Sequence, residues 1–71
     1  MINEKKINEE KILLSYNSKI KLHLILRDGS WRNGYVKEIK ADFFMFDDRV
    51  NGIEPIFFLD IGKIEIYKEE G

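Results

Sequence analysis

Two short apolar runs constrain the fold of this chain more than any other feature. They are residues 43–46 (FFMF) and residues 56–59 (IFFL), and neither contains a polar residue. A strand with one face in a core needs apolar side chains only at alternate positions, so both runs are apolar on both faces. The chain has 71 residues, and a domain of this size buries only about 60% of its unfolded surface. One copy is therefore too small to cover both faces of both runs.

The uncovered apolar surface predicts self-association. Several aromatic side chains exposed together would be an aggregation hazard, so a second copy of the chain is the better cover. The alternative is a sheet so strongly curved that one subunit covers both faces. The predicted oligomer interface consists of five residues: Ile56, Phe57, Phe58, Ile64 and Ile66.

Composition narrows the possible sources of extra stability and the possible partners. The chain has no cysteine and a single histidine, His23, which excludes disulfides and leaves only carboxylates for a metal. We therefore predict no cofactor and no metal. The formal charge is -1, so any nucleic-acid binding must depend on a local patch or on base stacking. No apolar run approaches the roughly 18 residues that span a bilayer, and we predict a cytoplasmic protein.

The N-terminal segment predicts a helix over residues 8–17. Asn8 is the expected N-cap, because its side chain can accept a hydrogen bond from the first turn. A start near Asn3 is the alternative. The helix face that should pack against the sheet carries three apolar residues, Ile12, Leu13 and Tyr16.

The remainder of the chain predicts five short strands. Residues 19–27 alternate in polarity, and Asp28 and Gly29 form a turn signal before the next strand. The connections are too short for crossovers, so neighbouring strands should pair antiparallel. The sequence thus predicts one all-β domain, 1–71, with a barrel over residues 19–67 behind the helix. The strands are expected at 19–27, 30–40, 42–46, 53–59 and 64–67.

Two residues mark special places in these strands. Gly34 lies in the middle of strand two, where a glycine indicates either a bend or a close backbone approach. We favour the bend, because a short sheet closes into a barrel only by curving. Pro55 cannot donate to a ladder, so it marks a strand start or an unpaired edge. Strands four and five should both be open edges, suited to pairing with a neighbouring subunit.

At this point the pattern resembles the Sm/LSm/Hfq superfamily of small barrels. Residues 22–36 resemble the first Sm motif, with an alternating apolar strand, a turn glycine and a second glycine five residues later. Residues 42–46 resemble the third strand, and residues 57–66 resemble the second motif. The resemblance implies an Sm-like (SH3-like), strongly bent five-stranded antiparallel barrel. It also implies a homo-oligomeric ring that binds RNA or acts as an RNA chaperone, as those proteins do.

The usual RNA-contact residues of the superfamily are not carried over. The acidic position falls on Lys40 or Ala41, and no asparagine comes directly after the apolar residues 43–46. The Arg-Gly pair is missing, although Lys63 lies nearby, and the Tyr-Lys-His signature is absent. With a one-residue insertion, Phe43 falls where Hfq places an aromatic that stacks on a base. The candidate RNA contacts are therefore Lys40, Phe43 and Lys63, with a core or interface role as the alternative for Phe43.

The remaining polar residues favour binding over catalysis. No nucleophile has a visible triad context and no phosphate-binding glycine loop is present, so we predict that the chain is not an enzyme and has no small-molecule substrate. A basic strip on one sheet face could contact phosphates, or it could be an ordinary solvated face. Its members are Lys19, Lys21, His23, Arg27 and Arg32. A protein-interaction module without RNA binding is the alternative function.

Overall fold

The computed structural model describes residues 4–67, with side chains from residue 8 onward. It contains an N-terminal helix followed by five strands. The bounds are α1 Glu4–Ser18, β1 Leu22–Leu26, β2 Trp31–Ile39, β3 Phe43–Asp48, β4 Gly52–Phe57 and β5 Ile61–Ile66, with a 3-10 turn at Phe58–Asp60 between the last two strands. No helix among residues 4–67 is long and apolar enough to cross a membrane.

The five strands form one antiparallel sheet in the order β4-β3-β2-β1-β5. This confirms the predicted strand count, the antiparallel pairing and the two open edges. Because β4 and β5 are not paired with each other, the sheet is bent rather than closed by hydrogen bonds. Pro55 lies in the edge strand β4, as its missing N–H requires.

The helix starts earlier than predicted and presents a different face. It begins at Glu4, so Asn8 lies inside the helix, and its assignment as N-cap is wrong. Ile12 and Ser15 are buried against the sheet, whereas Leu13 and Tyr16 are about half exposed, at 48% and 47%. The predicted packing face was therefore correct only at Ile12. Ser15 is buried in place of Leu13 and Tyr16 because its side chain forms a hydrogen bond with the sheet.

That hydrogen bond joins α1 to β2. The Oγ atom of Ser15 accepts from the backbone N–H of Val36 at 3.2 Å. The pairing of β2 with β3 shifts register between Val36 and Glu38, so a bulge bends β2 at this point. We predicted the bend at Gly34. The structure places it at least two residues later, between Val36 and Glu38.

At Gly34 the structure shows a close approach instead. A Cβ atom added there would lie 1.8 Å from the backbone oxygen of Asp47 on β3. No side chain fits in that space without moving the backbone of β3. The close approach, which the sequence left as the second explanation, is therefore the reason for this glycine.

The core lies between the bent sheet and the helix. Its largest members are Phe44 and Phe46, which alternate on β3 with the half-buried Phe43 and Met45. The buried apolar residues are Ile12, Leu22, Leu24, Val36, Phe44, Phe46, Ile56, Ile61 and Ile64. One face of β3 and β4 thus fills the core, and the other face keeps the apolar excess that the sequence predicted.

Candidate functional site

An open apolar groove lies where the first half of α1 meets one end of the sheet. Three backbone hydrogen bonds between loops shape it. Lys40 N–H donates to the Phe43 carbonyl at 2.8 Å, Phe58 N–H to the Asp42 carbonyl at 3.0 Å, and Arg27 N–H to the Asp60 carbonyl at 2.8 Å. These bonds connect the turn between β2 and β3 to the 3-10 turn, and the 3-10 turn to the end of β1.

The groove has an apolar floor with charged residues at its rim. It encloses about 1170 Å³, more than the roughly 300–1000 Å³ of a typical small-molecule pocket. An open groove of this size suits a segment of a polymer better than a small ligand. The lining residues are Asn8, Glu9, Ile12, Leu13, Arg27, Ile39, Lys40, Ala41, Asp42, Phe57, Phe58, Leu59, Ile61 and Gly62.

Aromatic rings supply much of the apolar surface. Phe57 is 47% exposed, and its ring lies 5.4 Å from that of Phe43, tilted by 43°. Behind them, Phe58 packs on the core residue Phe44 with a centroid distance of 5.4 Å. Leu59, at 79% exposed, extends the apolar surface toward solvent. Phe57 is thus the accessible member of the aromatic pair.

The charges of the lining residues cancel. Arg27 and Lys40 are balanced by Glu9 and Asp42. The Nζ atom of Lys40 also lies 2.7 Å from Oε1 of Glu38. This hydrogen bond and the neighbouring negative charge raise the pKa of Lys40 above its ordinary value. Lys40 is half exposed, so its charged amine is accessible to solvent.

The structure brings together two of the three predicted RNA contacts. Lys40 lines the groove and Phe43 supports it through Phe57. Lys63 is not among the lining residues, and its Nζ atom lies 3.8 Å from Glu65 at the sheet edge. The sequence predicted Arg27 as a member of the basic strip and did not place it beside Lys40. Only the bond from its backbone to Asp60 brings it to the groove.

The predicted interface residues separate into enclosed and accessible ones. Ile56 and Ile64 belong to the core of the single chain, at 5% and 1% exposed, so only their backbone could meet a neighbour. Phe58 packs on the core. Phe57 and Ile66 remain exposed, at 47% and 41%. Of the five predicted interface residues, only Phe57 and Ile66 therefore have side chains that a second copy could contact.

The predicted basic strip is divided by cross-strand pairing. Arg32 lies opposite Leu24, on the other sheet face from His23, and its Nε donates to Glu54 Oε1 at 2.7 Å. His23 forms a hydrogen bond through Nδ1 with the side-chain oxygen of Asn33. The ring of Trp31, which is 57% exposed, lies 5.9 Å from His23. This face carries an exposed aromatic group rather than a continuous strip of cations.

No metal-binding group was found among the residues that the structure describes. Within residues 4–67 there is no cluster of three or more histidine, cysteine or acidic side chains. Buried side-chain nitrogen and oxygen atoms in the same part of the chain all have hydrogen-bond partners. The groove is therefore the candidate site that we consider.

Comparison with known proteins identifies the fold. No model of a protein family and no curated protein matches the chain. A crystal structure of the pleiotropic translational regulator Hfq superposes with a TM-score of 0.73, over 84% of this chain and 98% of that chain. The sequence identity is 10%, so the likeness concerns the fold. The chain therefore has the Sm/Hfq-like fold that its sequence resembles: a strongly bent five-stranded antiparallel sheet with an N-terminal helix.

Proposed function

We propose that this protein is a homo-oligomeric, Sm-like RNA-binding protein of the RNA-chaperone type, acting in the cytoplasm. The observation that supports this function best is the open groove, with its exposed aromatic ring and two cations. Stacking of a base on Phe57 contributes about 1–3 kcal/mol. Arg27 and Lys40 contact phosphates at the rim. The contacts differ from those of the superfamily because the groove is nearly neutral and mostly apolar.

Self-association is the second part of the proposal. The strand order leaves β4 and β5 as open edges, and exposed strand edges favour pairing with another chain. Apolar side chains beside these edges would be covered at the same time. Ile53 and Ile66 are 61% and 41% exposed. Sedimentation at micromolar concentration should give a mass well above the 8.5 kDa of one chain.

RNA binding is tested with labelled U-rich and A-rich oligonucleotides at low salt. We expect Lys40→Glu, and separately Phe57→Leu, to weaken binding about tenfold. The leucine keeps an apolar side chain in the groove but removes the ring that stacks. Lys37→Glu is the matched charge control, because Lys37 is exposed on β2 and does not line the groove.

Trp31→Ala separates the groove from the outer sheet face. If the groove is the site, this variant should bind RNA as the unmodified protein does. If Trp31→Ala loses RNA binding while Lys40→Glu and Phe57→Leu keep it, the RNA site is the sheet face that carries Trp31 and not the groove. No retention of either oligonucleotide at low salt would remove RNA binding from the proposal.

A protein-interaction module is the second candidate function. The cancelling charges of the groove favour it, because a phosphate backbone gains little from such a surface. An apolar peptide would instead bury Phe57 and Leu59. Purification from the native cell distinguishes the two functions, since a protein partner that stays bound after ribonuclease treatment would favour the module.

A further inference from the structure

The rim of the groove carries more unpaired acceptors than unpaired cations. Lys40 already has Glu38 as its partner, at 2.7 Å. The other charged lining residues are Glu9, Arg27 and Asp42, and their side chains form no ion pair or hydrogen bond with another of the described residues. Two carboxylates thus stand against one guanidinium. A ligand that donates hydrogen bonds suits this rim better than one that carries only negative charge.

Asp42 is the carboxylate whose backbone is fixed beside the exposed ring. Its carbonyl oxygen accepts from the N–H of Phe58 at 3.0 Å. The residues next to this bonded pair are Phe43 and Phe57, which lie opposite each other across the ladder with their rings 5.4 Å apart. Asp42 is exposed, and both it and Phe57 line the groove. A base stacked on Phe57 can therefore turn one edge toward this carboxylate.

The Watson–Crick edges of the four bases differ in whether two donors lie side by side. A carboxylate can accept two parallel N–H bonds, one on each oxygen. Guanine offers its N1–H next to its N2 amine. Uracil offers a single N3–H between two carbonyls, and adenine and cytosine each offer one amine next to a ring nitrogen that is an acceptor. With these three bases, the second carboxylate oxygen would be repelled by an acceptor.

We propose that the groove selects guanine in single-stranded RNA, with Phe57 stacking on the base and Asp42 accepting from N1–H and the N2 amine. The RNA must be unpaired, because a duplex hides the Watson–Crick edge. Arg27 and Lys40 contact the flanking phosphates. This inference rests on the proposed RNA binding at the groove and names the base that the groove prefers.

The first test uses RNA heptamers of uridine that differ only in the central base. We expect the heptamer with guanine to bind about tenfold more tightly than those with adenine, cytosine or uracil, by fluorescence anisotropy at low salt. Inosine keeps N1–H and lacks the N2 amine, so the heptamer with inosine should lose most of this preference. Equal affinities for all five RNAs would overturn the base preference and leave RNA binding in place.

The second test replaces the paired acceptors by an amide. In Asp42→Asn the side chain can pair with N1–H and O6 of guanine, or equally with N3–H and O4 of uracil, so the ratio of the two affinities should fall to near one. Removal of a negative charge strengthens the binding of every RNA alike, so a purely electrostatic role would leave this ratio unchanged. Circular dichroism verifies that the variant folds.

Two further variants keep the assignment falsifiable. Glu10→Gln is the matched control, because Glu10 is exposed on the helix and does not line the groove, and it should keep the full guanine preference. Glu9→Gln, at the other carboxylate of the rim, should keep it as well. A preference lost in Glu9→Gln and retained in Asp42→Asn would overturn the role of Asp42. No retention of any heptamer at low salt would overturn RNA binding, and with it the basis of this inference.

Discussion

Gly34 allows a close approach between the backbones of β2 and β3. The Asp47 oxygen would lie 1.8 Å from an added Cβ atom, and the contact is backbone, which cannot rotate away. Gly29 offers a contrast. It has a positive φ of 90° but nothing lies within 4 Å of its Cβ position, so a substitution there strains only its own backbone.

We expect Gly34→Ala to lower the free energy of unfolding by about 3 kcal/mol or more, because overpacked sites relax poorly. Gly29→Ala should cost only about 1–2 kcal/mol, the usual penalty of a left-handed backbone with a side chain. Urea unfolding of both variants measures the difference. Equal losses in the two variants would show that the close approach is not the dominant effect.

At the scale of elements, the helix is oriented by a polar contact within an apolar interface. Ser15 is 1% exposed, and its hydroxyl is the partner of the Val36 N–H at the bulge in β2. Leu13 and Tyr16, which the apolar pattern selected, face outward. Sequence periodicity could not show this, because Val36 lies beyond the last pair between β2 and β1, Leu22 with Gly34, and the extent of that pairing is set only in the folded sheet.

Ser15→Ala should reduce stability by about 1–3 kcal/mol, since it leaves the buried N–H of Val36 without a partner. Ser18→Ala is the matched control, because Ser18 is exposed near the end of the same helix. Thermal unfolding by circular dichroism compares the two. A loss no greater than that of the control would exclude the hydrogen bond as the reason for a buried serine.

The turn between β3 and β4 is held by the carboxylate of Asp48. It accepts backbone hydrogen bonds from Asn33 at 3.1 Å, Val50 at 3.0 Å and Asn51 at 2.7 Å. Burial alone would raise the pKa of Asp48, but these bonds and the charge of Arg32 outweigh it, so the pKa lies below its ordinary value of 3.8. The charged form is therefore the one that stabilises the fold.

Stability from Asp48 should be fully present above the unfolded pKa, near pH 4, and lost as pH falls through the lower folded value. Asp48→Asn should remove this part of the acid dependence and lower stability at pH 7 by about 1–3 kcal/mol. Urea titrations at pH 7 and pH 2.5 measure both effects. An unchanged difference between the two pH values in the variant would contradict the assignment.

At the scale of the whole molecule, charge limits the kind of RNA binding that we propose. With a formal charge of -1 and only Arg27 and Lys40 as cations of the groove, few counterions are released on binding. Most of the affinity must then come from stacking and apolar contact. The salt dependence of binding reports this directly.

We expect the logarithm of the RNA association constant to fall with the logarithm of salt concentration with a slope of about -1.4, for two phosphate contacts on a single strand. Lys40→Glu should make the slope shallower. Fluorescence anisotropy over a range of salt concentrations gives both values. A slope steeper than about -4 would indicate a basic surface other than the groove.

The sequence by itself determined the strands, their antiparallel order and the open edges, because alternation of apolar residues, turn glycines and Pro55 act over a few neighbouring positions. It also indicated that one subunit leaves an apolar face uncovered, since this follows from chain length and composition. Lys40 and Phe43 stay predicted RNA contacts that follow from the resemblance to the Sm/LSm/Hfq superfamily.

Only the tertiary structure decided which residues share a site. It brought Arg27 to the groove through Asp60, turned Ser15 inward, and placed Ile56 and Ile64 in the core instead of on the surface. These outcomes depend on register, on the bulge in β2 and on where the helix crosses the sheet. Such contacts join residues that are distant along the chain, and no local pattern specifies them.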